Sequence, residues 1–307
     1  MSRPSIGLVG CGRWGELVLR DLKALGCRVS VVARSEESVS RATLRGADLI
    51  VPEPEALPGD IEGAVVVTPT DIHVASIEAL LPRGIPVFVE KAMTHNPVQA
   101  RSIVERAGNR VFVMDKWRYH PGIEAMRQLL ASGRMGRPVG LRSIRWGWST
   151  THDELDPVWL LLPHDLAITL HILGRLPPPV AAFANPHEPR GAGIIGFLGE
   201  DGERMVTIDV SSIHPVSRRS VILVGEDATA ELGGSYDEAI VIRYGRPASR
   251  QAREERMTLS KEMPLQAELA RFLVFLKGGP PPMSSAAEGL QVVETIVALR
   301  RLAGIDP

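Results

Sequence analysis

The first third of the chain carries short, continuously apolar runs separated by stretches with helical spacing. Ser5–Val9 is the first run, followed by a glycine turn and a helical pattern over Trp14–Leu25. Arg28–Ala33 (RVSVVA) reads as a second buried strand and leads into a polar helix over Glu36–Arg45. Ala47–Val51, Gly63–Thr68, a helix over Ile72–Leu81, the strand Pro86–Glu90, a helix over Pro97–Ala107 and the strand Arg110–Met114 continue the series. Strands apolar at every position are covered on both faces, and strands that alternate with helices pair in parallel. The pattern predicts a doubly wound α/β sheet.

After about Asp115 the rhythm changes. One helix follows Pro121 and another covers Pro163–Leu173. Strands are then expected over Val180–Ala184, Gly193–Leu198, Arg204–Val210, Ser220–Gly225, Ala228–Leu232 and Ala239–Arg243, and helices over Leu265–Leu276 and Ala286–Leu302. Strands crowded together without helices between them imply an open, mostly antiparallel sheet. The expected division is a dinucleotide-binding domain over 1–117 and a substrate-binding and oligomerisation domain over 118–307.

Composition narrows the classes. Thirty-five basic residues balance 36 acidic ones, with no basic stripe, which disfavours a nucleic-acid partner. No apolar stretch is long enough to span a bilayer, so no membrane partner is expected. The N-terminus lacks the apolar core and cleavage site of a signal peptide. Cys11 and Cys27 have neither disulfide-framework nor metal-ligand spacing, so no metal site is expected. These features together point to the cytoplasm.

The chemistry begins at GCGRWG, which sets Gly10, Gly12 and Gly15 in G-x-G-x-x-G spacing around Arg13 and Trp14. The motif follows the first strand and opens the first helix, the context in which glycines admit a dinucleotide pyrophosphate to a helix N-terminus. The second strand ends in Ala33, Arg34 and Ser35, where an NAD-binding protein usually carries an acid for the ribose 2′-OH. A guanidinium and a hydroxyl suit a 2′-phosphate, which favours NADP over NAD. The alternative for Arg34 is stacking on adenine or facing water. TPTDIH then brings Thr68, Thr70 and His73 to the end of the fourth strand, and VEKAM brings Glu90 and Lys91 to the end of the fifth. Ligands of open parallel sheets bind at these carboxyl ends.

Taken in order, GCGRWG, TPTDIH, VEKAM, RYHP (Arg118–Pro121), LLPHDLAITLHILG (Leu161–Gly174) and PLQAELARFLVFLKGGPPP (Pro264–Pro282) resemble the glucose–fructose oxidoreductase and inositol dehydrogenase family (Gfo/Idh/MocA) across nearly the whole chain. The runs PHDL and PLQAEL are most similar to its nucleotide-sugar branch. The resemblance implies a Rossmann domain followed by an α/β domain with a large open sheet. It also implies NAD(P)-dependent oxidation or reduction of a sugar, cyclitol or nucleotide sugar, and a homodimer or homotetramer built through that sheet. The family's catalytic lysine, from its Glu-Lys-Pro motif, falls on Lys91, and its histidine falls on His164. Two departures stand out: Ala92 replaces the motif's proline, and Leu160 replaces the aspartate four residues before the histidine.

On this reading Lys91 stabilises a developing oxyanion and His164 moves the hydroxyl proton. Lys91, Tyr119 and Asp165 are expected to contact substrate, with core packing as the alternative for Tyr119. His171 shares a face with His164 and is assigned to packing; a structural role is also open for His164. Leu160 keeps a second class in play, a dinucleotide-binding regulator or scaffold that has lost turnover, while Lys91 and His164 favour an enzyme.

Overall fold

The computed structural model describes residues 3–148, 156–184, 193–200, 203–245 and 252–305. These fall into two compact units: residues 1–116 with 263–293, and 117–262 with 294–307.

The first unit holds β1 (Ser5–Val9), α1 (Arg13–Ala24), β2 (Arg28–Val32), α2 (Glu36–Leu44), β3 (Leu49–Val51), β4 (Gly63–Val66), α3 (Thr70–Leu80), β5 (Val87–Glu90), α4 (Pro97–Ala107) and β6 (Val111–Met114). Its six strands run in the order β3-β2-β1-β4-β5-β6, all parallel. β1, β4 and β6 are buried at every position, as their unbroken apolar sequences require. The order reverses between β1 and β4, which is where ligands of doubly wound sheets bind.

The second unit holds α5 (Pro121–Ala131), β7 (Pro138–Trp148), α6 (Pro157–Leu173), β8 (Pro179–Ala184), β9 (Gly193–Glu200), β10 (Glu203–Ser211), β11 (Ile213–Gly225), β12 (Ala228–Leu232), β13 (Ala239–Tyr244) and β14 (Arg253–Thr258). Its eight-stranded sheet runs β14-β13-β12-β11-β7-β10-β9-β8, antiparallel except for the β7–β10 pair.

α7 (Pro264–Leu276) corrects the expected division at residue 118. Its Leu265, Leu269, Phe272 and Leu273 join the core formed by Val18, Leu19, Leu22 and Phe88, and the rings of Phe272 and Phe88 stack at 5.1 Å. Apolar packing on the first sheet therefore returns 263–293 to the first unit. α8 (Ala286–Leu302) is divided between the units at 293/294.

Two further differences matter for the site. β7 is absent from the expected elements because the face it buries carries Leu141, Ser143 and Arg145, so that face does not read as apolar. α6 begins six residues before the expected Pro163. The Asp156 carboxylate caps it, accepting from the Val158 N–H at 2.8 Å, and Pro163 lies within the helix. Leu160 and His164 consequently sit one turn apart on a single helix.

Candidate active site

The glycine loop joins β1 to α1. Gly10 has φ +96° and its N–H donates to the Val32 carbonyl at 3.0 Å, tying the turn to β2. A Cβ on Gly15 would lie 2.5 Å from the Gly10 carbonyl oxygen, so the helix can approach the strand this closely only with glycine there. Gly12 differs: a Cβ there would meet nothing within 4 Å, and among the described residues no side chain caps α1. A bare helix N-terminus opening on free space fits a dinucleotide pyrophosphate, because its unpaired N–H groups are the anion's partners. Thr68 Oγ1, buried at the end of β4, has no hydrogen-bond partner among the described residues. Trp14 is half-buried, with the Lys116 ammonium 4.6 Å from its ring centroid, while Arg13 is exposed.

At the end of β2, Ala33 is buried and its N–H donates to the Val51 carbonyl, whereas Arg34 and Ser35 are both exposed. Arg34 Nε donates to the Pro52 carbonyl at 3.1 Å. Ser35 caps α2, its hydroxyl oxygen accepting from the Ser38 N–H at 3.2 Å. No acidic side chain occupies the two positions after Ala33.

Thr70 opens α3, and His73 sits buried in that helix's first turn, its ring nitrogens 2.9 Å from the Ala92 carbonyl and 2.8 Å from the Thr68 carbonyl. Burial pushes its pKa down; the two carbonyls pull it back up. Lys91 is half-buried at the end of β5, and the Lys91–Ala92 peptide is cis. Beside it the Glu90 carboxyl is pushed above its ordinary range by burial, a shift opposed by the ammonium groups of Lys91 and Lys116.

Glu268 on α7 belongs to the same cluster and is missing from the sequence reading. It is 1% exposed, and its carboxyl is pushed well above the ordinary range by burial and then by the like charges of Glu90 and Asp115; Lys116 opposes the shift. Its signal in the sequence is an acid inside an apolar helical stripe, three residues after Leu265 and one before Leu269.

In the second unit α6 carries the half-buried Leu160 and His164. Asp165, expected to contact substrate, is instead 0% exposed. Its carboxylate accepts from Arg145 Nε at 2.7 Å, from Arg145 Nη2 at 3.2 Å and from the Ser143 hydroxyl. The Arg145 guanidinium in turn lies 4.5 Å from the Trp117 ring centroid. Tyr119 is buried, which agrees with core packing. His171 is bound at 2.8 Å to Glu124, whose carboxyl is held down at about 2, mainly by Arg127.

Residues 5–114 match the family model described as an oxidoreductase family with an NAD-binding Rossmann fold. The chain is 30% identical to the inositol 2-dehydrogenase of Streptomyces avermitilis, over 81% of this chain and 82% of that protein. It is 23% identical to the UDP-N-acetylglucosamine 3-dehydrogenase of Acidithiobacillus ferrooxidans, over 96% and 95% of the two chains. A crystal structure of that Acidithiobacillus enzyme superposes with a TM-score of 0.86 over 99% of both chains. Levoglucosan dehydrogenase in complex with NADH gives 0.87 over 99% of this chain and 97% of the other, at 12% identity, which speaks for the fold alone.

Proposed function

The chain belongs to the Gfo/Idh/MocA family of oxidoreductases, and on that premise we propose that it interconverts a secondary alcohol and a ketone on a sugar, cyclitol or nucleotide sugar. The observation that carries this reading is the bare, glycine-built N-terminus of α1 on β1, with Lys91 two strands away at the carboxyl end of β5. A nicotinamide bound there supplies or accepts the hydride. The N–H groups of α1 hold the pyrophosphate, with Gly10, Gly12, Arg13, Trp14 and Gly15 forming the loop around it. Thr68, Thr70, His73 and Glu90 come from the neighbouring strand ends and support the cofactor.

Lys91 donates a hydrogen bond to the reacting oxygen and stabilises the charge that gathers there as the proton leaves. His164 takes that proton in oxidation and returns it in reduction. Leu160 stands one turn earlier, where the family's motif carries an aspartate. The relatives' names support substrates of the inositol and UDP-N-acetylglucosamine type.

The dinucleotide is NADP(H): Arg34 and Ser35 are exposed at the end of β2, and neither they nor Ala33 repels a 2′-phosphate. A second copy covers the outward face of the eight-stranded sheet, where Phe183 and Ile195 are exposed cross-strand neighbours and Met205 is exposed on β10. The buried, free Cys11 and Cys27 suit the reducing cytoplasm.

The decisive experiment measures turnover on myo-inositol and UDP-N-acetylglucosamine, with dinucleotide binding by calorimetry, for the parent and Lys91→Ala. Turnover should collapse while dinucleotide affinity stays within a few-fold. A Lys91→Ala variant with parental turnover removes the lysine from the chemistry. Equal affinity for both dinucleotides, or a preference unchanged by Arg34→Ala, removes the NADP assignment.

A further inference from the structure

His73 lies in the first turn of α3, 1% exposed, between the ends of two adjacent parallel strands. Nε2 stands 2.8 Å from the carbonyl of Thr68, just beyond β4, and Nδ1 stands 2.9 Å from the carbonyl of Ala92, just beyond Lys91. A carbonyl oxygen can only accept, so each of these contacts is a hydrogen bond only while that ring nitrogen carries a proton. We propose that His73 is a positioning residue for Lys91, its imidazole joining the loop after β4 to the loop that carries the lysine. The inference rests on the reading that Lys91 acts on the reacting oxygen.

The placement explains why a polar ring is buried here. The Thr68 and Ala92 carbonyls lie outside the strand ladders, and a buried carbonyl left unpaired is costly. One ring reaching both sets the spacing of the two loops through the backbone. A neutral imidazole has a single N–H and satisfies one carbonyl, while the imidazolium satisfies both. The charged groups facing the ring are Lys91 and His95, which disfavour the second proton along with burial; Asp71 pairs with His95 at 3.3 Å. The second bond therefore forms only as pH falls through a value below the ordinary 6.5, and the loop tightens on acidification.

The test compares the parent with His73→Leu, His73→Gln and Lys91→Ala, reading kcat against pH, dinucleotide affinity and the imidazole nitrogen signals of the dinucleotide-free protein. In the parent, the His73 ring should show one protonated nitrogen at neutral pH and two at acid pH. His73→Leu should lose on the order of tenfold to a hundredfold in kcat, the scale of a misplaced reacting group, together with the acid-side inflection of its pH profile. His73→Gln, whose amide nitrogen can donate to one of the two carbonyls but cannot titrate, should recover part of kcat and lose the acid-side inflection. Parental kcat and pH profile in either variant, while Lys91→Ala is inactive, overturns the positioning role. Parental turnover in Lys91→Ala overturns the reading beneath it. A parent ring whose nitrogens titrate at or above the ordinary value overturns the proposed change of bonding.

Discussion

Each unit of this molecule buries a carboxylate completely, and the two are treated in opposite ways. Asp165, in the second unit, meets a guanidinium at 2.7 and 3.2 Å and a serine hydroxyl. Glu268, in the first, has one oxygen with no hydrogen-bond partner among the described residues and faces the like charges of Glu90 and Asp115. Burial alone therefore does not say what a carboxyl does. A paired one works as a clamp, here fixing α6 to β7 and so the rotation of the helix that carries His164. An unpaired one among other acids takes up a proton and becomes a neutral polar group.

The clamp is the place to break the comparison hardest. Arg145→Met leaves the Asp165 charge buried without its cation, and should cost about 3–5 kcal/mol of stability in a urea titration. Adding Asp165→Leu removes the stranded charge and should recover most of that loss, because replacing both ions with apolar groups is often neutral. A single variant that loses under about 1 kcal/mol would mean that Asp165 finds another partner or protonates without penalty.

The glycine loop offers a smaller effect that separates packing from ligand. Gly15→Ala puts a methyl 2.5 Å from a backbone oxygen that cannot step aside. It should lose about 1–3 kcal/mol of stability, as overpacking does, together with dinucleotide binding. Gly12→Ala meets nothing within 4 Å. Its stability cost should stay within about 1 kcal/mol, that of a poorer helix cap, while dinucleotide affinity falls. Thermal melts and calorimetry on the two variants give the contrast; a Gly12→Ala protein that binds dinucleotide normally would show that the space beside Gly12 is not the pyrophosphate's.

The units also differ in how far the sequence reveals them. Strands of the first sheet are apolar at almost every position, so β1, β2, β4, β5 and β6 are legible as runs, and the glycine spacing marks the site. β7 is hidden because two of its inward positions are Ser143 and Arg145, which become sensible only once Asp165 is seen opposite them. The start of α6 is hidden by Pro163, whose usual place at a helix's first turn draws the expected boundary inward. Asp165 looks like a site residue beside His164, yet adjacent helical positions point about 100° apart, and it turns into the core. α7 reads correctly as a helix, but which core it fills depends on tertiary packing that no local pattern carries. Glu268 is visible as an acid on an apolar face; its acidic neighbours come from β5 and from Asp115, over 150 residues earlier.

The smallest effect sharpens the comparison from the other side. Glu268 is pushed well above its ordinary range in the folded protein, whereas in the unfolded chain it titrates near 4.5. Between those two values the folded state keeps a proton that the unfolded state has released, so the carboxyl lowers stability as pH rises. The slope from this one group is about 1.4 kcal/mol per pH unit. Glu268→Gln keeps the shape of the neutral acid and cannot ionise. Relative to the parent it should gain stability steadily from about pH 5 upward, whatever constant offset its extra amide hydrogen introduces. Other groups titrate in the same range, so the quantity to read is the difference between parent and variant at each pH, from urea titrations at several values between 5 and 8. Parallel curves would mean that Glu268 is ionised in both states, with Lys116 or a bound water compensating it. A variant that gains with pH would show that the Glu268 carboxyl is held as an acid in the folded protein, whereas the Asp165 carboxylate is the one clamped by Arg145.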